Sequence, residues 1–133
     1  MVVVDTSVVA AIVFGEDDAV SLVDGMLRDD AELVMSAATL VEASIVVAAR
    51  KGEAGLTRLS ELLSHLGVTT REVDAEQAAR AVRAWRRFGK GNHPAALNLG
   101  DCFSYALAKS LDAPLTFKGH DFEQTDLRAA LEG

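Results

Sequence analysis

Apolar positions in this chain fall into two alternating textures. Short apolar or β-branched runs, "VVV" (2–4), "ELVMS" (32–36), "VTTREV" (68–73) and "APLTFK" (113–118), predict four brief strands. Between them lie stretches with helical spacing: "TSVVAAIVF" (6–14), "EDDAVSLVDGMLRDD" (16–30), "AATLVEASIVVAAR" (37–50) and "AGLTRLSELLSHL" (54–66). "DAEQAARAVRAWRRF" (74–88) and "DCFSYALAKSLD" (101–112) continue the series. Thr6 or Ser7, Ser36 and Asp74 stand where N-caps are needed, and Gly15, Gly52 and Gly67 mark stops. "GKGNHPAALNLG" (89–100) and "GHDFEQTD" (119–126) read as loops. Strands alternating with helices predict an α/β fold, a parallel sheet with helices on both faces. In such sheets ligands bind beyond the carboxyl ends of the strands.

Four acidic residues stand out against this pattern. Asp5 follows the first strand, and Asp121 follows the last. Glu42 is the only charge between Glu32 and Arg50, and Asp101 opens the helical "GDCFSYALA". Singly, Asp5 and Asp101 are as readily helix caps as ligands, and Asp121 an ordinary turn residue. Glu42 is harder to dismiss, since an unpaired carboxylate inside apolar packing costs several kcal/mol. Carboxylates that converge cannot all stay ionised without a cation among them. Hard oxygen donors without a His or Cys cluster point to Mg²⁺, or Mn²⁺, rather than Zn²⁺. His65, His93 and His120 show no ligand spacing.

Length and composition narrow the classes further. At 133 residues, half of them hydrophobic, the chain predicts one domain spanning 1–133 with a substantial core. No apolar run is long and clean enough to cross a membrane, and Asp5 interrupts the place where a signal peptide would build. The single cysteine, Cys102, reads as a packing residue and fits a reducing cytoplasm. A net charge of −7 argues against nucleic acid at first sight. Yet Arg80, Arg83, Arg86, Arg87 and Lys90 lie in a stretch, 77–100, that holds no acid. Helical spacing lets Arg80, Arg83 and Arg87 share a face that could grip phosphates, or simply meet solvent. Trp85 reads as core or dimer packing, and Tyr105 as a base-stacking candidate.

"VVVDTS", "LVEA" and "LNLGDCFSYALAKSLDAPLTFKGHDFEQTD", in this order and at this length, resemble the PIN-domain family over essentially the whole chain. They look closest to the VapC-type toxins of toxin–antitoxin pairs. The resemblance implies a three-layer α/β/α sandwich with a short, mainly parallel sheet. It implies a cytoplasmic, usually homodimeric, Mg²⁺-dependent endoribonuclease, silenced by a cognate VapB-like antitoxin. Carried over residue by residue, it puts the catalytic acids at Asp5, Glu42, Asp101 and Asp121, with Asp126 an alternative for the last. Asp5 and Asp101 would hold the metal, Glu42 and Asp121 would join directly or through water, and Thr6 or Ser7 would orient a carboxylate. Gly119 and His120 occupy a turn where many relatives carry another acid.

Two rivals stand beside this reading. A silent PIN-like scaffold would have no use for four acids so costly to bury. An aspartyl-phosphate phosphatase wants a second aspartate two positions after the first, where this chain has Ser7, and a lysine near a late strand, for which Lys118 is the only candidate.

Overall fold

A computed structural model describes residues 1–28 and 30–130. The elements follow in the order β1 (Val2–Val4), α1 (Thr6–Val13), α2 (Ala19–Arg28), β2 (Leu33–Ser36) and α3 (Ala37–Leu66). After these come β3 (Thr69–Arg71), α4 (Ala75–Phe88), α5 (Leu99–Leu111) and β4 (Leu115–Thr116). The expected second helix begins three residues later than its sequence pattern, and Asp29, near its expected end, lies outside the described residues, as do 131–133. The two helices expected on either side of Gly52 form one run that breaks there, where Gly52 takes φ 61°. A left-handed residue without a Cβ turns the axis at little steric cost.

The four strands form one parallel sheet in the order β3-β2-β1-β4. Val3 registers with Val34 on one side and with Leu115 on the other. Both faces are covered, which is why β1 and β2 are apolar without alternation. Val3, Val34 and Leu115 pack with α4 and α5, while Val4, Leu33 and Met35 pack with α1, α2 and α3. Each of these side chains, fully buried or nearly so, contributes about 1.5–3 kcal/mol of transfer free energy. This is the expected α/β/α sandwich. Its parallel strands bring their carboxyl ends to one edge, where the chain enters α1 through Asp5 and α3 through Ser36. Among the described residues no helix is long and apolar enough to cross a membrane.

Candidate active site

Asp5 ends β1 and caps α1, a role that Thr6 and Ser7 were candidates for. Its side chain is 3% exposed and every bond it makes is local or buried. Ser7 donates to Asp5 Oδ2 from its backbone N–H (3.1 Å) and its hydroxyl (2.7 Å). On the other side, Ser104 of α5 donates to Asp5 Oδ1 at 2.6 Å, and Ser104 Oγ also lies 3.2 Å from Thr39 Oγ1. Ser7 Oγ in turn accepts from the Lys118 backbone N–H at 2.9 Å, so the segment after β4 is tied to the same carboxylate.

Asp101 is not the N-cap of α5. That position belongs to Asn98, whose side chain accepts from the Asp101 N–H at 2.9 Å while Asp101 Oδ2 accepts from the Asn98 N–H at 3.1 Å. This reciprocal capping box fixes the Asp101 carboxyl at the helix start. Burial, together with the negative charges of Asp5 and Asp121, pushes Asp101 up to about 8, against the pull of the Asn98 backbone bond. That shift places Asp5 and Asp121 within electrostatic reach of Asp101. Asp121 itself is exposed.

Glu42 reaches the cup from α3 and is half-buried, so its desolvation is smaller than the apolar sequence around it suggests. Thr6 donates to Glu42 Oε1 at 2.6 Å. The carboxylate lies directly over Gly100, where a Cβ would collide with it. Three acids thus gather at helix starts, Asp5 on α1, and Asp101 and Glu42 on the first turn of α5. Helix dipoles and unpaired N–H groups there offset part of their mutual repulsion. The sequence singled out the four acids and both hydroxyls as candidates; Ser104, Thr39 and Asn98, which the structure bonds to or beside them, it did not single out.

Asp126 stands elsewhere. It accepts from Tyr105 OH (2.6 Å) and Lys109 Nζ (3.1 Å), and lies 3.5 Å from Arg87 Nη1. Tyr105 is buried against Phe88, which removes it as a base-stacking platform. Trp85 is 49% exposed on α4 and is not a core residue, whereas Cys102 is buried as expected. His93 packs its ring edge on Phe88 and accepts from the Ala95 N–H, a loop-building role. Lys118 Nζ pairs with Glu16 and Asp18 at 3.0 and 2.9 Å, so it is committed away from Asp5 and the phosphatase rival loses its lysine.

The donor set suits a divalent cation. Asp101 favours its proton first because burial penalises the charged form and then because Asp5 and Asp121 are negative, and a cation would offset both effects. Among the described residues no group of three or more His, Cys, Asp or Glu side chains is placed to hold a metal ion. A small hard cation does not require one, since it is commonly held by one or two carboxylates and retains several waters.

The PIN domain model matches residues 2–127. A Ribonuclease VapC of Mycolicibacterium smegmatis is 48% identical, covering 96% of this chain and 98% of that one. Ribonuclease VapC36 of Mycobacterium tuberculosis is 46% identical over 94% of this chain and 90% of its own length. Among solved structures, Mycobacterium tuberculosis VapC20, described as a sarcin–ricin-loop-cleaving toxin, superposes with a TM-score of 0.79 at 16% identity, covering 96% of both chains. VapBC2 of Rickettsia felis, solved bound to a DNA fragment from its promoter, gives 0.75 at 14% identity, covering 97% of this chain and 96% of that one. The chain belongs to the PIN-domain family and, within it, to the VapC ribonucleases.

Proposed function

We propose that residues 1–133 act as one PIN domain, an Mg²⁺-dependent endoribonuclease that is the toxic half of a toxin–antitoxin pair. PIN-domain ribonucleases depend on a divalent metal. The observation that carries the reading is the pair of buried carboxyls at helix starts, Asp5 held by Ser7 and Ser104 and Asp101 held by Asn98. Asp5 and Asp101 would hold Mg²⁺, with Mn²⁺ as a substitute, and Glu42 and Asp121 would complete the cup directly or through water. The cation, when bound, would supply the charge that activates water and steadies the oxygen displaced from phosphorus.

The protein's own part is orientation. Ser7 engages Oδ2 of Asp5 through its N–H and hydroxyl, and Ser104 engages Oδ1, so the carboxylate is held from both sides. Asn98 engages Asp101 Oδ2, and Thr6 holds Glu42 Oε1. A cation bound beside Asp101 would offset the burial that favours its protonated form. Arg80, Arg83, Arg86, Arg87 and Lys90 would draw RNA toward acids that alone repel it. A silent scaffold would gain nothing from two carboxylates buried this deeply.

A cognate antitoxin fits the same cup, offering a basic side chain to the acids and apolar surface around them. A second copy of the chain would cover the groove of about 530 Å³ between α3 and α5, lined by Val41, Ile45, Leu99 and Phe103. Val41, Ile45 and Leu99 are 59%, 63% and 75% exposed, an apolar patch of the kind that marks an interface. The cytoplasm, where RNA and a reducing pool coincide, is the compartment this function requires. The test is cleavage of a structured RNA with Mg²⁺, repeated with EDTA. Fragments should form with the metal and vanish with the chelator, and intact RNA under both conditions defeats the reading.

A further inference from the structure

α4 and α5 run in opposing senses, with Gln77 bonded to Ser110 at one end and Phe88 stacked on Tyr105 at the other. Between them is a cleft of about 270 Å³ lined chiefly by Arg80, Arg83, Arg87, Tyr105 and Lys109. Arg80 is paired with Glu76 at 3.1 Å. Arg87, Lys109 and the Tyr105 hydroxyl all converge on the Asp126 carboxylate. Four cations therefore face two carboxylates, and the cleft keeps a positive surplus within a chain whose net charge is −7. Burial alone would raise the Asp126 carboxyl, but the bonds from Tyr105 and Lys109 outweigh it and hold it below its ordinary value. Three donors gathered on one anionic group form the set that a phosphate oxygen also takes.

Position links this cleft to the acids. Asp101, Tyr105 and Lys109 recur every four residues and so share one face of α5. Lys109 lies about 12 Å along the helix from Asp101, a few nucleotides at a rise of about 3.4 Å each. The segment between Asp121 and Asp126 spans the same interval, with Asp121 within electrostatic reach of Asp101 and Asp126 bonded to Lys109. We propose that the α4–α5 cleft binds a phosphodiester of the RNA strand being cut, through Arg83, Arg87, Lys109 and Tyr105. Asp126 stands in that place as an internal counter-charge, which the RNA phosphate displaces. The proposal rests on the ribonuclease reading and adds to it a second point of attachment and a residue that opposes binding.

The test is the affinity of the full chain for a short fluorescent single-stranded RNA, measured in EDTA across a salt series so that no cleavage intervenes. Arg87→Gln and Lys109→Gln should each weaken binding several-fold and lower the slope of log K against log salt by about 0.7, one phosphate contact each. Asp126→Asn keeps the shape, removes the competing charge and should tighten binding several-fold. If Asp126 only ties its segment to α5, Asp126→Asn lowers the melting temperature without tightening binding, and the proposal is overturned. Arg83→Gln, at an exposed position, keeps the test alive should a cleft variant fold poorly. Unchanged RNA affinity in all these variants, with wild-type cleavage intact in Mg²⁺, defeats the cleft alone. A wild type that neither binds nor cleaves RNA defeats the ribonuclease reading with it. Variants that keep RNA but lose a polyglutamate peptide would assign the cleft to an acidic protein segment, which also overturns the proposal.

Discussion

At Asp101 the folded protein holds a proton that the unfolded chain has already released. The carboxyl moves from an ordinary 3.8 to about 8, so between those values the folded state binds more protons than the unfolded one. The associated stability is complete below the lower value and is lost as pH rises toward and through the upper one. Metal-free protein should therefore melt at progressively lower temperature from about pH 4 to about pH 8, and Asp101→Asn should remove most of that decline. Calorimetry in EDTA checks both, with the variant melting above wild type at the alkaline end. Ser104 makes a second prediction. Its hydroxyl is buried, holds Asp5 Oδ1, and contacts Thr39, so Ser104→Ala should weaken metal affinity by roughly 10- to 100-fold. Titration calorimetry with Mn²⁺ reads this directly, and unchanged affinity would remove Ser104 from the site. Asp5 and Glu42 stood out as candidates because each interrupts an apolar run, whereas Asp121 sits in a Gly-His-Asp turn and was carried by the resemblance. Ser104 did not stand out, since one serine within a helix looks like any other until folding lays α5 beside β1. The choice between Asp121 and Asp126 was equally closed to sequence. Five residues apart in one loop, they reach opposite ends of the same face of α5.

Elements act through their ends. The α1 and α5 starts gather Asp5 and Asp101, and α3 delivers Glu42 across the first turn of α5. Gly100 matters here for the Cβ it lacks, because any side chain there strikes the Glu42 carboxylate. Gly100→Ala should keep the helix, where alanine is the better former by about 1 kcal/mol, yet displace Glu42 from Thr6. Metal-dependent cleavage should fall by roughly tenfold or more with the melting temperature held or raised. A variant that cleaves like wild type would mean that Glu42 does not need its place over α5. Helix periods, the break at Gly52 and the stop at Gly67 could all be read in the sequence, because each rests on local chemistry. The start of α5 could not. Asp101 was the expected cap, and only the reciprocal bonds between Asn98 and Asp101 assign that role to Asn98.

For the whole molecule, the parallel sheet brings its strand ends to one edge, where Asp5 and Asp121 act on Asp101 and Glu42 lies over Gly100. Alternating strands and helices made that sheet legible. Strand order β3-β2-β1-β4 is set by packing on both faces, and no local pattern encodes it. The exposed apolar face of α3 and α5 predicts a dimer, and Ile45→Lys should convert it to a monomer in sedimentation velocity without lowering helix content. A wild type already monomeric at micromolar concentration would remove the interface. The proposed chemistry is cleavage of RNA by the buried acids with a divalent cation. Its most direct test is the cleavage rate of wild type against Asp5→Asn on structured RNA at saturating Mg²⁺, with folding verified by the melting curve. Asp5→Asn keeps the shape of the side chain and removes its charge, so the rate should fall by at least about a hundredfold, a loss of about 2.7 kcal/mol. A folded Asp5→Asn protein that cleaves as fast as wild type would mean that Asp5 takes no part in metal-dependent cleavage.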